Sequence, residues 1–186
     1  MERAFSLAQK AISMDDSIPE AHRILGDIYL YRKDLERARR ETERAIALDP
    51  NYADGLAGLG EVLIWTGEYD EGIRLVKKAM LLNPCHHAWY FYILGVAYTS
   101  QARYDDAIEI LGRGLIRNPD FIGTHLALAT LYGGAGRKEM CQTEVQEILR
   151  ISPGFSLKLI KEMIPTKDQT IVDRVIDILR DAGLPD

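Results

Sequence analysis

The residues that could carry out chemistry are few in this chain and stand far apart. Cys85, His86 and His87 form the one cluster of metal-ligand types. A structural zinc site needs four ligands, and no second cluster supplies the missing ones. Adjacent histidines in a loop also rarely converge on one ion. We therefore interpret the cluster as a connecting loop and predict that the chain binds no metal.

A catalytic arrangement is not evident either. His22 and His125 fall on predicted helices, without a paired nucleophile or carboxylate. We interpret both as packing or solvent-facing residues. The glycine-rich stretch 133–136 lacks the Lys-Ser/Thr that completes a phosphate-binding loop. The sequence therefore predicts a protein that is not an enzyme and that uses no cofactor.

Charge narrows the range of partners. The 186 residues carry a formal net charge of −5, and charges of both signs alternate along the chain. Nucleic-acid binding depends on cations that neutralise phosphates, so this balance argues against it. Some helical repeats read one RNA base each through matched polar residues. The equivalent positions here form no such code: Arg23, Ala57, Tyr92 and Leu126.

The sequence carries no mark of a membrane or secreted protein. No apolar run approaches the roughly 18 residues that span a bilayer. The first residues lack the basic-then-apolar order of a signal peptide. Two distant cysteines, Cys85 and Cys141, form no disulfide framework. We expect a reduced, cytoplasmic protein with no membrane insertion.

Internal repeats with a period of about 34 residues organise the chain. A small residue recurs at this step, at Gly26, Gly60, Gly95 and Ala129. Four prolines keep the same step, at Pro50, Pro84, Pro119 and Pro153. Because the two series are independent and share one register, they indicate true repeats.

Each repeat has the pattern of two amphipathic helices joined by a short turn. Apolar residues recur at helical spacing on both sides of breaks near residues 34, 67, 102 and 136. The proline ends the unit because it cannot continue a helix. Small residues are expected where the two helices cross, at Ala38, Gly72, Ala107 and Cys141. Cys141 is therefore predicted to be a buried, inert thiol.

At these residues the sequence resembles the tetratricopeptide repeat (TPR) family. The first full repeat matches the family pattern at Leu25, Gly26, Tyr29, Ala38, Ala45 and Pro50. The third repeat matches it at Leu94, Gly95, Tyr98, Tyr104, Ala107 and Pro119. The fourth is the weakest, since Cys141 and Ile148 replace alanines. The resemblance covers about residues 1–153 and implies an all-α fold, a right-handed TPR superhelix of helix–turn–helix repeats.

We predict eleven helices and no strand. A half repeat occupies residues 1–18, and full repeats occupy 19–52, 53–87, 88–121 and 122–153. Residues 154–186 are expected to form a pair of C-terminal capping helices. Ser156 and Asp168 are predicted N-caps of these helices, and Gly183 is the predicted stop signal.

The C-terminal tail carries a second resemblance. The stretches 152–157, 167–168 and 179–185 are similar to a group of bacterial proteins. In that group a TPR tail follows a class III adenylate or guanylate cyclase domain, or a winged-helix regulator domain. The resemblance implies a sensory or protein-contact part of a larger signalling protein. It places no catalytic residue on this chain.

The TPR resemblance also implies where a partner binds, because the first helix of each repeat lines the concave side in this family. The groove positions would be Glu20, Arg23, Asp27, Tyr31, Asp54, Ala57, Glu61, Trp65, Trp89, Tyr92, Val96, Gly123, Leu126 and Thr130. Some TPR modules hold a C-terminal carboxylate with Lys, Arg and Asn at such positions. This chain has carboxylates there, so we expect it to bind an apolar or basic protein segment, with Trp89 and Tyr92 at the centre.

The N-terminal edge leaves an alternative open. Residues 3–14 match the second helix of a repeat whose first helix is absent, and the end of a solenoid usually has a polar outer face. Either the chain is part of a longer array, or the edge packs on a partner or a second copy. Three functions follow: a scaffold that binds a peptide or helix, a regulatory part of a cyclase or transcription regulator, and an array that self-assembles through helix 3–14.

Overall fold

A computed structural model describes all 186 residues. It contains eleven α-helices and no strand, as predicted. In chain order they are α1 Glu2–Met14, α2 Pro19–Tyr31, α3 Leu35–Leu48, α4 Ala53–Trp65, α5 Tyr69–Leu82, α6 Ala88–Ser100, α7 Tyr104–Arg117, α8 Ile122–Gly134, α9 Lys138–Ile151, α10 Leu157–Met163 and α11 Gln169–Asp181. The all-α fold class is therefore confirmed. Helices α2, α4, α6 and α8 each begin at a predicted repeat start.

The turn inside each repeat has one recurring backbone conformation. The second residue after the first helix adopts a left-handed φ of 62° at Lys33, 90° at Gly67, 57° at Ala102 and 71° at Gly136. The next residue donates its N–H to a carbonyl five positions earlier, as Asp34 does to Tyr29 at 2.9 Å. This bond satisfies a carbonyl that the helix end leaves without a partner. The predicted breaks are therefore helix stops of one type.

Small residues bring the paired helices together. A Cβ on Gly60 would lie 2.9 Å from the Gly72 carbonyl, and Ala38 and Ala107 are fully buried at the matching crossings. Cys141 occupies this position between α8 and α9 and is 2% exposed. Burial raises the pKa of its thiol, which keeps the thiol protonated. The predicted buried thiol is confirmed.

The chain divides into two compact units, Met1–His86 and His87–Asp186. In the first unit α1 packs on α2. The Phe5 ring meets Tyr29 edge-on at 5.8 Å, and the Arg32 guanidinium lies 4.0 Å from the Phe5 centroid. Arg32 also donates to the Glu2 carboxylate at 2.5 Å. These contacts fix α1 although Ala8 is its one buried residue.

The second unit contains α6 to α11, and α11 covers α8. Asp168 caps α11 by accepting from the Thr170 N–H at 2.9 Å, and Gly183 ends it with a φ of 97°. Ser156 stands at the N-cap of α10, but its side chain makes no capping hydrogen bond. The Leu157 N–H donates instead to the Pro185 carbonyl at 2.8 Å. Ser156 is therefore the N-cap residue of α10 as predicted, but without a side-chain capping bond.

Candidate partner-binding surface

Predicted groove residues of the first unit come together where α2 meets α4. We name Arg23, Asp27, Tyr31, Asp54 and Trp65 the α2/α4 patch. All five side chains are half-buried. Arg23 pairs with Asp27 one helical turn away, and a Cβ on Gly58 of α4 would lie 3.7 Å from the Asp27 Oδ1. The patch therefore lies over the contact between two neighbouring helices.

Arg23 is the single basic residue among the predicted groove positions, and it is engaged within the chain. Its Nε donates to the Tyr52 hydroxyl at 3.0 Å, and its Nη1 donates to Asp27. Tyr52 immediately precedes α4 and was not among the predicted site residues. The signal that could have identified it is its aromatic ring with a polar end, one residue before a repeat start.

Burial raises the pKa of Asp27 to about 6, although the Arg23 guanidinium acts in the opposite direction. Asp54 adds a like charge that raises the Asp27 pKa further. The charged form of Asp27 is thus only partly compensated inside the protein. A cation brought to this patch would stabilise it.

Glu61 and Ala57 also face this region but are buried, at 2% and 0% exposure. The Tyr31 hydroxyl lies 3.4 Å from the Glu61 Oε1, which is a weak contact. The Glu61 carboxylate is therefore buried and does not itself form part of the exposed surface.

Trp65 has a structural task as well as a predicted binding task. Its ring packs against a buried cluster of Leu30, Ala38 and Val62, from α2, α3 and α4. Tyr29, Tyr31 and Leu35 pack against the same cluster. Truncating Trp65 would therefore change the packing of three helices, which makes it a poor probe of binding.

In the second unit the predicted residues lie on α6 and α8. We name Trp89, Tyr92, Val96 and Leu126 the α6/α8 patch, and all four are half-buried. The Tyr92 ring meets Phe121 edge-on at 6.0 Å, and a Cβ on Gly123 would lie 3.5 Å from Tyr92. The absent side chain at Gly123 leaves room beside the Tyr92 ring. Trp89 meets the fully buried Tyr90 edge-on at 5.4 Å.

The two histidines differ from their predicted description. His22 Nδ1 lies 2.7 Å from the Glu41 carboxylate, and His125 Nδ1 lies 2.7 Å from the Glu144 carboxylate. Each histidine is therefore paired with a carboxylate, which corrects the interpretation of unpaired or solvent-facing residues. In each pair the histidine and the glutamate are 19 residues apart in the sequence. This repeated spacing was a signal in the sequence, but the helix-by-helix pattern does not reveal it.

The Cys85-His86-His87 segment forms the connection between α5 and α6. Cys85 is a free, exposed cysteine. The His86 ring lies 2.9 Å from the Asn83 carbonyl through Nδ1, and the His86 N–H donates to the same carbonyl at 3.0 Å. The backbone part of this turn also occurs in the neighbouring connections, where Tyr52 donates to Asp49 and Phe121 donates to Asn118.

Comparison with known proteins gives the class of fold. A tetratricopeptide repeat family model matches residues 19–52, the first full repeat. TTC0263, a TPR protein of Thermus thermophilus, has a TM-score of 0.74 at 21% identity, covering 95% of this chain and 89% of that one. The chain therefore contains a tetratricopeptide repeat and has the fold of TPR proteins.

Other solved structures share this fold. YrrB, a TPR protein with an unusual peptide-binding site, has a TM-score of 0.55 at 18% identity, covering 94% of this chain and 90% of that one. PilF of Pseudomonas aeruginosa has a TM-score of 0.65 at 21% identity, covering 98% of this chain and 81% of that one. No curated protein sequence matches the chain. None of its helices has the length and apolar character needed to cross a membrane.

Proposed function

We propose that the chain is a protein-interaction module that binds an apolar or basic segment of a partner protein on the first helices of its repeats. The observation that carries this proposal is the α6/α8 patch, where Trp89 and Tyr92 remain half-buried instead of entering the core. The fold shared with YrrB, which has a peptide-binding site, supports the same function.

Aromatic rings supply the affinity in this proposal. Trp89 and Tyr92 are three residues apart on α6, so their side chains share one side of the helix. Large aromatic residues dominate the binding energy of many interfaces because they bury much surface at little entropic cost. Val96 and Leu126 add apolar area beside them. An apolar residue of the partner would pack on these four side chains.

The α2/α4 patch of the first unit has a charge preference of its own in this proposal. Asp27 and Asp54 lie near one another, and the one cation among them is already bound by Asp27 and Tyr52. A partner carboxylate would have to displace these contacts and approach two like charges. A basic residue would add the compensation that Asp27 lacks. Such charges tune the encounter rate and the choice of partner more than the affinity.

A peptide-display selection on the immobilised chain tests this function. We expect enrichment of peptides that combine large apolar residues with lysine or arginine. The matched control is the variant Trp89→Ala with Tyr92→Ala, which should lose the enriched peptides. Enrichment of acidic C-terminal peptides, or equal recovery on the control variant, would contradict the proposal.

Self-assembly through α1 is a second candidate function. Leu7 of α1 is 58% exposed, and Ala4 is exposed although its counterpart Ala38 is fully buried under α2. In the full repeats this face of the second helix is covered by the first helix. We propose that a second copy covers it in α1, which would give a homodimer.

The regulatory function remains a third proposal, supported by the resemblance of residues 152–185 to the tails of cyclase and winged-helix proteins. It predicts that the reading frame upstream of Met1 encodes one of those domains. Sequencing the transcript would decide this, and a transcript whose translation starts at Met1 would argue against it.

A further inference from the structure

The ring of His125 lies between two oxygen atoms. Its Nδ1 is 2.7 Å from the Glu144 carboxylate of α9, and its Nε2 is 2.8 Å from the Pro119 carbonyl in the turn before α8. The side chains of His125 and Glu144 are 6% and 15% exposed, so water replaces neither partner easily. One residue thereby joins α8, α9 and the turn that precedes α8.

The same arrangement occurs in the first full repeat. His22 lies 2.7 Å from Glu41 and 3.1 Å from the Asp16 carbonyl, at the same sequence separations. The Asp16 carboxylate faces Arg44 at 3.7 Å. The contact of His22 with its backbone carbonyl is longer than the corresponding contact of His125. Glu41 is also more exposed than Glu144, at 26%. The recurrence shows that this position of the repeat can accept a polar pair.

The second and third repeats, which lie between these two in the sequence, have apolar pairs at the positions that correspond to the histidine and the glutamate. The second repeat has Leu56 with Leu75, and the third has Phe91 with Ile110, all of them buried. The polar and apolar versions therefore replace each other as whole pairs. The fold itself does not require a histidine here, so the histidine adds something other than packing.

The geometry requires a proton. A neutral imidazole has one N–H and one lone pair, so one of its nitrogens would direct a lone pair at an oxygen acceptor. Both contacts are satisfied if His125 is doubly protonated, with the Glu144 carboxylate and the Pro119 carbonyl as the two acceptors. This arrangement holds one more proton than the neutral ring.

The charged groups that act on His125 favour this extra proton. They are Glu144 and Glu147 of α9, and the Tyr132 hydroxyl of α8 and the Cys141 thiol of α9 also interact with Glu144. Arg150 lies next to Glu147 and Asp120 at 2.8 and 2.6 Å and partly neutralises them. The hydrogen bond to Glu144 raises the pKa of His125, against the opposing effect of burial.

We propose that His125 and Glu144 form a proton-dependent lock that fastens α8, α9 and the preceding turn at neutral and acidic pH and releases them at alkaline pH. The proposal is independent of partner binding. The folded chain binds the proton more tightly than the unfolded chain does, so the stabilisation is complete below the ordinary histidine pKa of about 6.5. This stabilisation is lost as the pH rises through the pKa that His125 has in the folded chain.

Nitrogen-15 NMR of the full chain tests the protonation state directly, with the signals of His125 assigned by their absence in His125→Gln. We expect the proton on the His125–Glu144 pair to titrate with a midpoint above about 6.5. The ring nitrogens also distinguish imidazolium from a neutral ring that donates through Nε2. A midpoint at or below the ordinary histidine value would overturn the proposal.

A stability series tests the lock. The double variant His125→Leu with Glu144→Leu copies the pair of the second repeat and carries no titratable group there. We expect the melting temperature of the parent minus that of the variant to decrease steadily between pH 6 and 8.5. A constant difference would overturn the proposal. His87→Gln in the exposed connection is the control and should keep a constant difference from the parent.

Discussion

The Nε of Arg23 donates a hydrogen bond to the hydroxyl of Tyr52 at 3.0 Å, which joins α2 to the residue immediately before α4. The Nη1 of the same guanidinium donates to Asp27, so two of its nitrogens are hydrogen-bonded within the protein. An arginine at a groove position would ordinarily suggest a site for a carboxylate or phosphate. Here the same arginine joins α2 to the start of α4, so its hydrogen bonds are already used within the chain.

The first prediction concerns Asp27. Because burial raises its pKa to about 6, the folded chain binds more protons than the unfolded chain between about pH 4 and 6. Stability should therefore fall as the pH rises through this window. Asp27→Asn should reduce this fall by on the order of 1 kcal/mol, a discounted value since the side chain is 31% exposed.

Urea denaturation at a series of pH values measures the effect. Asp105→Asn, at an exposed site in α7, serves as the control and should keep the decline of the parent. An unchanged decline in Asp27→Asn would show that Arg23 fully compensates the carboxylate.

The second prediction concerns the aromatic anchors. Trp89→Ala and Tyr92→Ala should each weaken binding of a peptide selected on the parent chain by about 2 kcal/mol, roughly 30-fold in Kd. Isothermal titration calorimetry provides the Kd values, and thermal melts confirm that the variants fold. Tyr104→Ala, which removes a 55% exposed ring from α7, should bind as the parent does. Folded variants with the affinity of the parent would place the site elsewhere.

The third prediction concerns the N-terminal edge. If α1 mediates dimers, Leu7→Glu should lower the sedimentation mass from dimer to monomer, because a charge would replace apolar contact area. Ile116→Glu changes a side chain that is 87% exposed in the second unit, and it should leave the mass unchanged. Phe5→Glu is less suitable, since it would also remove the contacts with Tyr29 and Arg32. A parent chain that stays monomeric at all concentrations would contradict dimer formation through α1.

The fourth prediction compares two glycines of the third repeat. A Cβ at Gly95 would lie 2.5 Å from Leu111 Cγ, whereas a Cβ at Gly112 would have no atom within 4 Å. Gly95→Ala should therefore destabilise the chain by about 1–3 kcal/mol through overpacking. Gly112→Ala should stabilise it by about 0.5–1 kcal/mol, because alanine favours the helix. Equal effects in denaturation experiments would show that α6 and α7 do not approach closely at Gly95.

The elements were predictable because their signals are local and repeated. Helical spacing of apolar residues located the eleven helices, and the small residues located the crossings, including Cys141. The turns were predicted near their observed positions, although Lys33 and Ala102 adopt a left-handed φ without being glycine. The repeated geometry of the turn imposes that conformation, and residue type alone does not indicate it.

The candidate site was predictable only in part. The sequence placed Arg23, Asp27 and Tyr31 on one side of a helix, and in the structure this side lies next to α4. The sequence did not indicate that Glu61 is buried or that Arg23 donates a hydrogen bond to Tyr52. Exposure and pairing depend on which helix lies opposite, and a one-helix pattern contains no information about that neighbour.

The sequence by itself therefore determined the repeat, its helices and the side of each helix that faces its neighbour, since these follow from periods within about 34 residues. Only the tertiary structure decided the partners of the polar side chains. Glu41 and Glu144 reach their histidines across 19 residues, and Tyr52 reaches Arg23 across 29. Hydrogen bonds need atoms within about 3 Å, and that precision arises only when the helices have packed.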